Sequence, residues 1–209
     1  MNILILSPHA DDAELGCGGS VFKFVEEGHN LLWVVFSTAE DSLPDNLPKD
    51  TLKTEFCDVA SDIGLGEDDY EIFNFKVRHL HEHRQDVLEE LINIRKYFNT
   101  DLVIGPSVND YHQDHQVVAN EMIRAFKTTS SIISYELPWN HITFNTQLFM
   151  RLGERHISKK YEILKHYDSQ IIQNKPYFFK GFIYGLACNR GVQCNCKYAE
   201  AFEVVRWMR

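Results

Sequence analysis

Two short segments, far apart in the chain, contain residues that can do chemistry together. The first runs from Ser7 to Gly16 and the second from Tyr111 to His115; they contribute His9, Asp11, Asp12, His112, Asp114 and His115. Imidazole nitrogens and carboxylate oxygens in this combination are the ligands of catalytic zinc and iron sites. Either segment alone is as consistent with solvated surface or helix capping as with function. Both together, each next to a predicted strand or helix end, favour a site.

The first segment supplies two of the three protein ligands that a catalytic zinc ion usually has. His9 and Asp12 are three residues apart in a predicted turn, so both side chains can face one point. His115, at the start of a predicted helix, is the expected third ligand. Two histidines and one aspartate leave the ion with a net charge of about +1, which lowers the pKa of bound water toward about 7.

The remaining polar residues of both segments have the types needed for proton transfer. Asp11 is the expected general base, because it adjoins a ligand without having to be one. His112 lies three residues before His115 and, as imidazolium, can stabilise an oxyanion or protonate a leaving amine. Asp114 can fix the tautomer of His112 or support a metal ligand from behind. The set predicts metal-assisted hydrolysis of an unactivated carbonyl bond, an amide before an ester.

Alternating strands and helices are predicted to position these segments. Strands are expected at 2–7, 31–36, 70–75, 102–104, 132–135, 144–149 and 198–207, and helices at 18–28, 52–63, 84–98, 115–126 and 159–173. This alternation predicts right-handed βαβ crossovers and a parallel sheet. In such sheets ligands bind at the carboxyl ends of the strands, where both segments begin. The sequence has no repeat or linker, so one domain over 1–209 is expected.

Composition narrows the range of partners. The chain of 209 residues is 44% hydrophobic and 24% charged, as expected of a soluble globular protein, and its net charge is −9. This acidity argues against binding to nucleic acid or to an anionic membrane surface. The N-terminus lacks the basic region of a signal peptide, and no run is long enough to span a membrane. A cytoplasmic location is therefore expected.

The cysteines and three histidines give weaker signals. The five cysteines are an odd number without a regular framework; Cys188, Cys194 and Cys196 are expected to be reduced thiols rather than metal ligands, with a redox or labile disulfide role left open. His79, His81 and His83 alternate, but no carboxylate or cysteine has matching spacing. We expect them to form a polar loop or a substrate rim rather than a metal site.

A glycine-rich turn and a tryptophan each allow two interpretations. Gly16–Gly19 resembles a phosphate loop, but Val21 stands where a dinucleotide fingerprint needs glycine, and the neighbouring carboxylates repel phosphate. A tight turn and close helix–strand packing are favoured instead. Trp139 is equally consistent with stacking on a sugar ring and with burial in the core.

The same motifs resemble the PIG-L/LmbE-like family of zinc-dependent N-acetylglucosaminyl de-N-acetylases. The resemblance rests on Pro8–Asp12, Leu15–Gly19 and His112–His115, with weaker similarity at Tyr135–Glu136, Ser169–Gln170 and Lys197–Phe202, and so extends over nearly the whole chain. It implies a Rossmann-like three-layer α/β sandwich with a mostly parallel sheet and one divalent metal at its carboxyl edge. Family members remove the N-acetyl group of a glucosamine-containing substrate and release acetate.

The resemblance also implies roles for individual residues. By position, His9, Asp12 and His115 match the metal ligands, Asp11 the general base and His112 the oxyanion-stabilising or acid residue, with Asp114 beside it. An arginine that often precedes the helical glutamate matched by Glu55 contacts substrate hydroxyls in the family; Leu52 and Lys53 occupy that stretch here. Arg78 is a substitute source of positive charge, and Trp139 a second substrate-binding residue.

The main hypothesis is thus an N-deacetylase for a small N-acetylated amino sugar or its conjugate. Zinc is the expected metal, with iron(II) or another divalent ion as the alternative. Competing hypotheses are a metal hydrolase of a different amide or an ester, and a nucleotide-binding module using the glycine-rich turn. Phosphoester cleavage usually recruits a second metal or a basic clamp, and no basic cluster adjoins either motif. Self-association is expected by family analogy only.

Overall fold

A computed structural model describes residues 1–208 of the chain. The strands are β1 (Asn2–His9), β2 (Asn30–Ser37), β3 (Tyr70–Ile72), β4 (Leu102–Gly105), β5 (Ser131–Tyr135), β6 (Leu148–Leu152) and β7 (Tyr198–Arg206). The α-helices are α1 (Asp12–Glu26), α2 (Thr51–Asp62), α3 (Arg84–Tyr97), α4 (Gln113–Phe126), α5 (Glu154–Leu164), α6 (Asp168–Ile171) and α7 (Lys180–Gln193). The alternation of strand and helix predicted for the first two thirds of the chain is confirmed.

The strands form one mixed sheet in the order β3-β2-β1-β4-β5-β7-β6. Strands β1 to β5 pair in parallel, whereas β7 is antiparallel to both β5 and β6. Two apolar clusters cover the sheet: α1, α2, α5 and α7 contribute to one, and α3 and α4 to the other. The predicted three-layer α/β architecture with a mostly parallel sheet is therefore confirmed.

The topology creates a crevice next to β1. From this central strand the chain goes to β2 on one side and later returns to β4 on the other. The connections that follow β1 and β4 consequently diverge to opposite faces of the sheet, and the gap between them is the usual ligand site of open α/β folds. His9 is the last residue of β1, and the loop after β4 leads to His112 and His115.

Helix α1 begins six residues earlier than predicted and is kinked. It starts at Asp12 rather than at residue 18, and its backbone leaves the helical region at Cys17, where φ is −145°. The kink frees amide groups in the middle of the helix, and the buried carboxylate of Glu200 accepts hydrogen bonds from the N–H groups of Gly19 and Ser20 at 3.1 and 2.7 Å. The tight turn predicted at the glycines is therefore a kink within α1 and does not precede the helix.

The glycines of this kink allow close packing, as predicted. A Cβ atom on Gly16 would lie 2.5 Å from the ring of Tyr135, and one on Gly19 would lie 2.7 Å from Leu152. The amides that a phosphate would need are already occupied by Glu200. These contacts count against the nucleotide-binding alternative.

The last third of the chain departs most from prediction. The strand expected at 144–149 is displaced to β6, and the helix expected at 159–173 is replaced by α5 and the short α6. Helix α7 was not predicted, because three glycines weaken its helical signal. None of the helices within residues 1–208 is long and apolar enough to cross a membrane.

All five cysteines are free thiols. The Sγ atoms of Cys194 and Cys196 lie 3.4 Å apart, between α7 and β7. Among the described residues, these thiols are not part of any group of three potential metal ligands.

Candidate active site

The crevice between β1 and β4 opens into a cavity of about 220 Å³. Six of the eight predicted site residues line it: His9, Asp11, Asp12, His112, His115 and Trp139. Asp114 lies directly behind this lining and is fully buried. Arg78 does not line the cavity; its side chain is exposed and reaches the backbone carbonyl of Asp41.

Three acceptor atoms converge at the base of the cavity. Nδ1 of His9 and Nε2 of His115 each lie 3.1 Å from Oδ2 of Asp12, and the two nitrogens are 3.3 Å apart. Bonds of about 2.0–2.2 Å from one zinc ion, at tetrahedral angles, would separate its ligand atoms by about 3.3 Å. The triangle thus has the size and the donor types that a divalent metal requires.

The far side of each histidine is held by a buried carboxylate. Nε2 of His9 lies 2.9 Å from Asp114, and Nδ1 of His115 lies 2.7 Å from Asp110. Asp114 also accepts hydrogen bonds from the backbone N–H groups of Arg78 and Leu80. With its outer nitrogen donating to a carboxylate, the neutral form of either ring has its unprotonated nitrogen on the cavity side, as metal-ligating histidines do.

The charges of this cluster are strongly coupled. Burial lowers the pKa of His115, but the carboxylates of Asp12 and Asp110 outweigh it and raise that pKa to about 10. Burial acts in the opposite sense on Asp12, whose pKa is nevertheless held well below its usual range by His115 and His9. The cluster therefore retains a cation between its carboxylates, either a proton or a metal ion.

His112 has a different environment from the other two histidines. It is the N-cap of α4, and its Nδ1 accepts a hydrogen bond from the backbone N–H of Asp114 at 3.2 Å. This bond leaves the proton of the neutral ring on Nε2. Burial, with His115 and His9, lowers the pKa of His112 to about 4. Near neutral pH the ring is thus an imidazole donor rather than the imidazolium that the sequence suggested.

Asp11 is held apart from the triangle and lines the cavity. Its backbone adopts φ 92° and ψ −24°, a left-handed conformation that is uncommon for residues other than glycine. Burial and the neighbouring Asp12 raise the pKa of its carboxyl to about 7. A carboxyl that titrates near neutral pH beside a cavity is suited to proton transfer.

A wall of the cavity comes from a segment for which the sequence gave little signal. Residues 167–177, called the wall segment below, follow α5 and bring Gln170, Lys175 and Tyr177 to the cavity. The ring of Tyr177 stacks on Trp139 with centroids 4.0 Å apart. Lys175 donates a hydrogen bond to the side-chain oxygen of Gln170.

Asp110, Lys175 and Tyr177 were not identified from the sequence, although the weaker family resemblance included Ser169–Gln170. Asp110 could have been predicted from the sequence, because a carboxylate a few residues from a ligating histidine often binds the outer nitrogen of that histidine. Leu52, in the stretch where family members often have an arginine, lines the cavity with an apolar surface. Lys175 lines the cavity, whereas Arg78, named from the sequence as a source of positive charge, does not.

The alternating histidines pair with carboxylates of their own segment. His79 lies 2.8 Å from Glu82 and His83 lies 3.1 Å from Asp86, all in exposed positions. Among residues 1–208, the only grouping of potential ligands dense enough for a metal contains His9, His112 and His115. A polar segment or substrate rim at these histidines stays a prediction.

Comparison with known proteins identifies the family. Residues 4–126, more than half of the chain, match the PIG-L family, described as GlcNAc-PI de-N-acetylase. This chain belongs to the PIG-L family. The match includes both motif segments, so the resemblance found in the sequence and the prediction of an N-deacetylase are confirmed.

A curated relative and two solved structures extend the comparison of this PIG-L chain. It is 27% identical over 175 residues to the "Uncharacterized deacetylase YaiS" of Escherichia coli (strain K12), covering 80% of this chain and 90% of the relative. The N,N'-diacetylchitobiose deacetylase of Pyrococcus horikoshii superposes with a TM-score of 0.73 and 16% identity, over 98% of this chain and 83% of the other.

The fold is also shared with an enzyme of another reaction class. GalB, a 4-carboxy-2-hydroxymuconate hydratase from Pseudomonas putida KT2440, superposes with a TM-score of 0.77 and 18% identity over 100% of this chain and 97% of the other. Structural likeness at this level of identity therefore establishes the fold alone. The reaction must be argued from family membership and from the side chains of the cavity.

Proposed function

We propose that the chain is a zinc-dependent N-deacetylase that hydrolyses the N-acetyl group of an N-acetylglucosamine-type sugar or sugar conjugate. Water is consumed, and acetate and the free amine are released. Family membership supports the reaction, and the substrate named for the Pyrococcus neighbour supports the sugar. The observation that carries the proposal is the triangle of His9, Asp12 and His115 with its two supporting carboxylates.

These three residues are the proposed metal ligands. His112 lies close enough to belong to an alternative set with His9 and His115. The distances favour Asp12, because its Oδ2 is 3.1 Å from the inner nitrogen of each of the other two ligands. The Nδ1 atom of His112 is occupied by the backbone of Asp114, which leaves only its protonated nitrogen for the cavity. When bound, the ion supplies Lewis-acid chemistry: it polarises the acyl carbonyl and acidifies water.

The other residues of the cavity move protons and stabilise charge. Asp11 takes a proton from the attacking water at its carboxylate and returns it to the leaving amine nitrogen. Nε2–H of His112 donates to the oxygen of the tetrahedral carbon. The carboxylate of Asp114 acts through His9, whose ring it orients, and its backbone N–H fixes the tautomer of His112. Of the two roles that the sequence left open for Asp114, we favour support of a ligand.

The stacked rings of Trp139 and Tyr177 form the proposed surface for a sugar ring. Trp139 is 37% exposed, so this aromatic pair remains accessible at the mouth of the cavity. Lys175 and Gln170 add polar groups beside it. We propose that these residues select the substrate and that Arg78 does not.

We also propose a single-domain organisation and a cytoplasmic location. One sheet joins strands from both ends of the described chain, which supports a single deacetylase domain over 1–209. The five free thiols are the state that a reducing compartment maintains, which supports a cytoplasmic location.

The decisive experiment is acetate release from a panel of N-acetylated amino sugars and sugar conjugates. Purified protein is assayed as isolated, after chelation, and after zinc is restored. Release that chelator abolishes and zinc restores is the expected result. If no panel member yields acetate while one metal ion is bound per chain, the substrate assignment is wrong.

A second experiment separates the two possible ligand sets. Metal content per folded chain is measured for Asp12→Ala, His115→Ala and His112→Ala. We expect the first two variants to lose the ion and the third to retain it with reduced turnover. Loss of metal from His112→Ala, with retention in Asp12→Ala, would replace Asp12 by His112 in the site.

A further inference from the structure

We propose that Tyr167 and Glu14 are positioning residues for Asp11, holding its carboxylate at a fixed place relative to the wall segment. The inference rests on the proposed function, because it assigns Asp11 the part of the base. It adds that the base is located by a hydrogen bond from the wall segment to the first turn of α1. Tyr167 belongs to the wall segment, whereas Glu14 lies in the first turn of α1, three residues after Asp11.

The bond between these residues is short and sealed from water. The hydroxyl of Tyr167 donates to Oε1 of Glu14 at 2.5 Å, and both residues are fully buried. Burial and the Glu14 carboxyl raise the pKa of Tyr167 well above its usual range, so the phenol stays protonated and donates. The phenol therefore holds the first turn of α1, which begins immediately after Asp11.

That turn needs external support. Asp11 is left-handed at φ 92°, and its carbonyl accepts the first helical bond, from Leu15 N–H at 3.0 Å. A residue other than glycine keeps such a conformation only where its surroundings determine it. If the hydroxyl of Tyr167 is removed, Glu14 loses its hydrogen-bond donor and the first turn of α1 loses its link to the wall segment. We expect the turn to relax and the carboxylate to shift.

A second set of hydrogen bonds fixes the wall segment relative to α2. Glu55 on α2 accepts hydrogen bonds from the backbone N–H and the hydroxyl of Ser169 at 2.8 and 2.6 Å. The segment is therefore tied to α1 through Tyr167 and to α2 through Ser169. Because it also carries Lys175, the Tyr167–Glu14 bond sets the distance between the base and the substrate-facing residues.

The two oxygens of the Glu14 carboxyl differ in their hydrogen bonding, since only Oε1 accepts a bond from Tyr167. Among residues 1–208, the second oxygen of Glu14, Oε2, is buried without a hydrogen-bond partner. Elsewhere in the same core, the carboxylate of Glu200 is satisfied on both oxygens. The Glu14 carboxyl therefore has fewer protein partners than that of Glu200, a departure of the kind found at functional sites.

The test compares Tyr167→Phe with Tyr135→Phe. The second variant is a matched control, because Tyr135 also donates a buried hydrogen bond, at 3.1 Å to the carbonyl of Leu6. We expect Tyr167→Phe to lower kcat by about 10- to 100-fold with KM and metal content unchanged, since small misplacements of a reacting group have effects of this size. Tyr135→Phe should change kcat by less than about 3-fold, whatever it does to stability.

Two further variants separate positioning from stability. Glu14→Gln keeps an acceptor oxygen for Tyr167 and should retain most of the activity, whereas Glu14→Leu should reproduce the loss of Tyr167→Phe. In an Asp11→Asn background, Tyr167→Phe should have no additional effect on the residual rate. A multiplicative loss in the double variant, or equal losses in Tyr167→Phe and Tyr135→Phe, would overturn the inference.

A crystal structure of Tyr167→Phe decides the matter independently of activity. If wild-type protein releases no acetate, the proposed function fails, but the conformation of residue 11 still tests its positioning. Movement of Asp11 out of the left-handed region, or displacement of its carboxylate from the cavity, supports the inference. An unchanged Asp11 in a folded variant overturns it.

Discussion

Helix α1 carries a buried polar cluster on each side of its kink, and the two clusters differ in how their charges are balanced. Beyond Cys17, Glu200 receives hydrogen bonds from Gly19 and Ser20 and pairs with Lys160 at 2.7 Å. Before Cys17, Asp12 faces two imidazole nitrogens, each 3.1 Å away, and those nitrogens lie 3.3 Å from each other.

The difference separates a structural cluster from a functional one. Every charge around Glu200 has its partner within the protein, so the cluster is complete as it stands. The acceptors around Asp12 converge on one point and are balanced only when a proton or a metal ion lies between them. Both clusters adjoin the glycine-rich motif Gly16–Gly19. The cluster before it, around Asp12, serves chemistry, and the cluster after it, around Glu200, serves stability.

The largest effect on activity is expected from the functional cluster. Asp11→Asn removes the proposed base without removing a ligand and should lower kcat by about 10²- to 10⁴-fold, the usual contribution of a positioned acid or base. Metal content, measured on the same preparation by atomic spectroscopy, should stay at the wild-type level. A loss of metal in proportion to activity would show that Asp11 is itself a ligand.

Substitutions in the cluster around Glu200 should lower the stability of the protein rather than its activity. Glu200→Ala leaves the Lys160 ammonium buried without a partner and should reduce the free energy of unfolding by about 3–5 kcal/mol. Chemical denaturation measures this change, and metal binding by the folded fraction should persist. Glu154→Ala, which breaks the exposed pair with Lys197, is the control and should have little effect.

A smaller loss of stability is expected at the kink itself. Gly16→Ala places a methyl group against Tyr135 and should reduce the free energy of unfolding by about 1–3 kcal/mol. Gly185→Ala is the matched control in α7, where a Cβ meets nothing within 4 Å, and it should raise stability by up to about 1 kcal/mol. Equal thermal shifts for the two variants would contradict the packing argument.

The smallest expected effect concerns the aromatic pair at the mouth of the cavity. Trp139→Ala should raise KM by about 2- to 10-fold with kcat nearly unchanged, which corresponds to a stacking contribution of about 0.5–1.5 kcal/mol. Trp207→Ala, at another exposed tryptophan that does not line the cavity, should leave both constants unaltered. A change in kcat alone would place Trp139 in the chemical step rather than in binding.

The parts of the site that were predictable are those encoded by local pattern. A buried strand followed by His9 and Asp12, and a short strand leading to His115, identify both halves of the cluster because parallel strands meet at one edge. Tyr167 and Lys175 gave no such signal. Tyr167 was predicted to lie within one long helix and Lys175 just beyond its end, whereas in the structure tertiary packing of the wall segment brings Lys175 to the cavity.

The attachment of the wall segment has a consequence for how such an enzyme can change. Its links to α1 and α2 described above are hydrogen bonds from the Tyr167 hydroxyl and from the backbone N–H and hydroxyl of Ser169, and the segment forms no strand of the sheet. Substitutions between those two residues and Tyr177 can therefore alter the groups that meet a substrate while leaving the strand ends that carry the histidines untouched. The residues for catalysis and those for substrate selectivity thus lie in different segments of the chain. Mutations in the wall segment can therefore change the substrate while the catalytic residues stay intact.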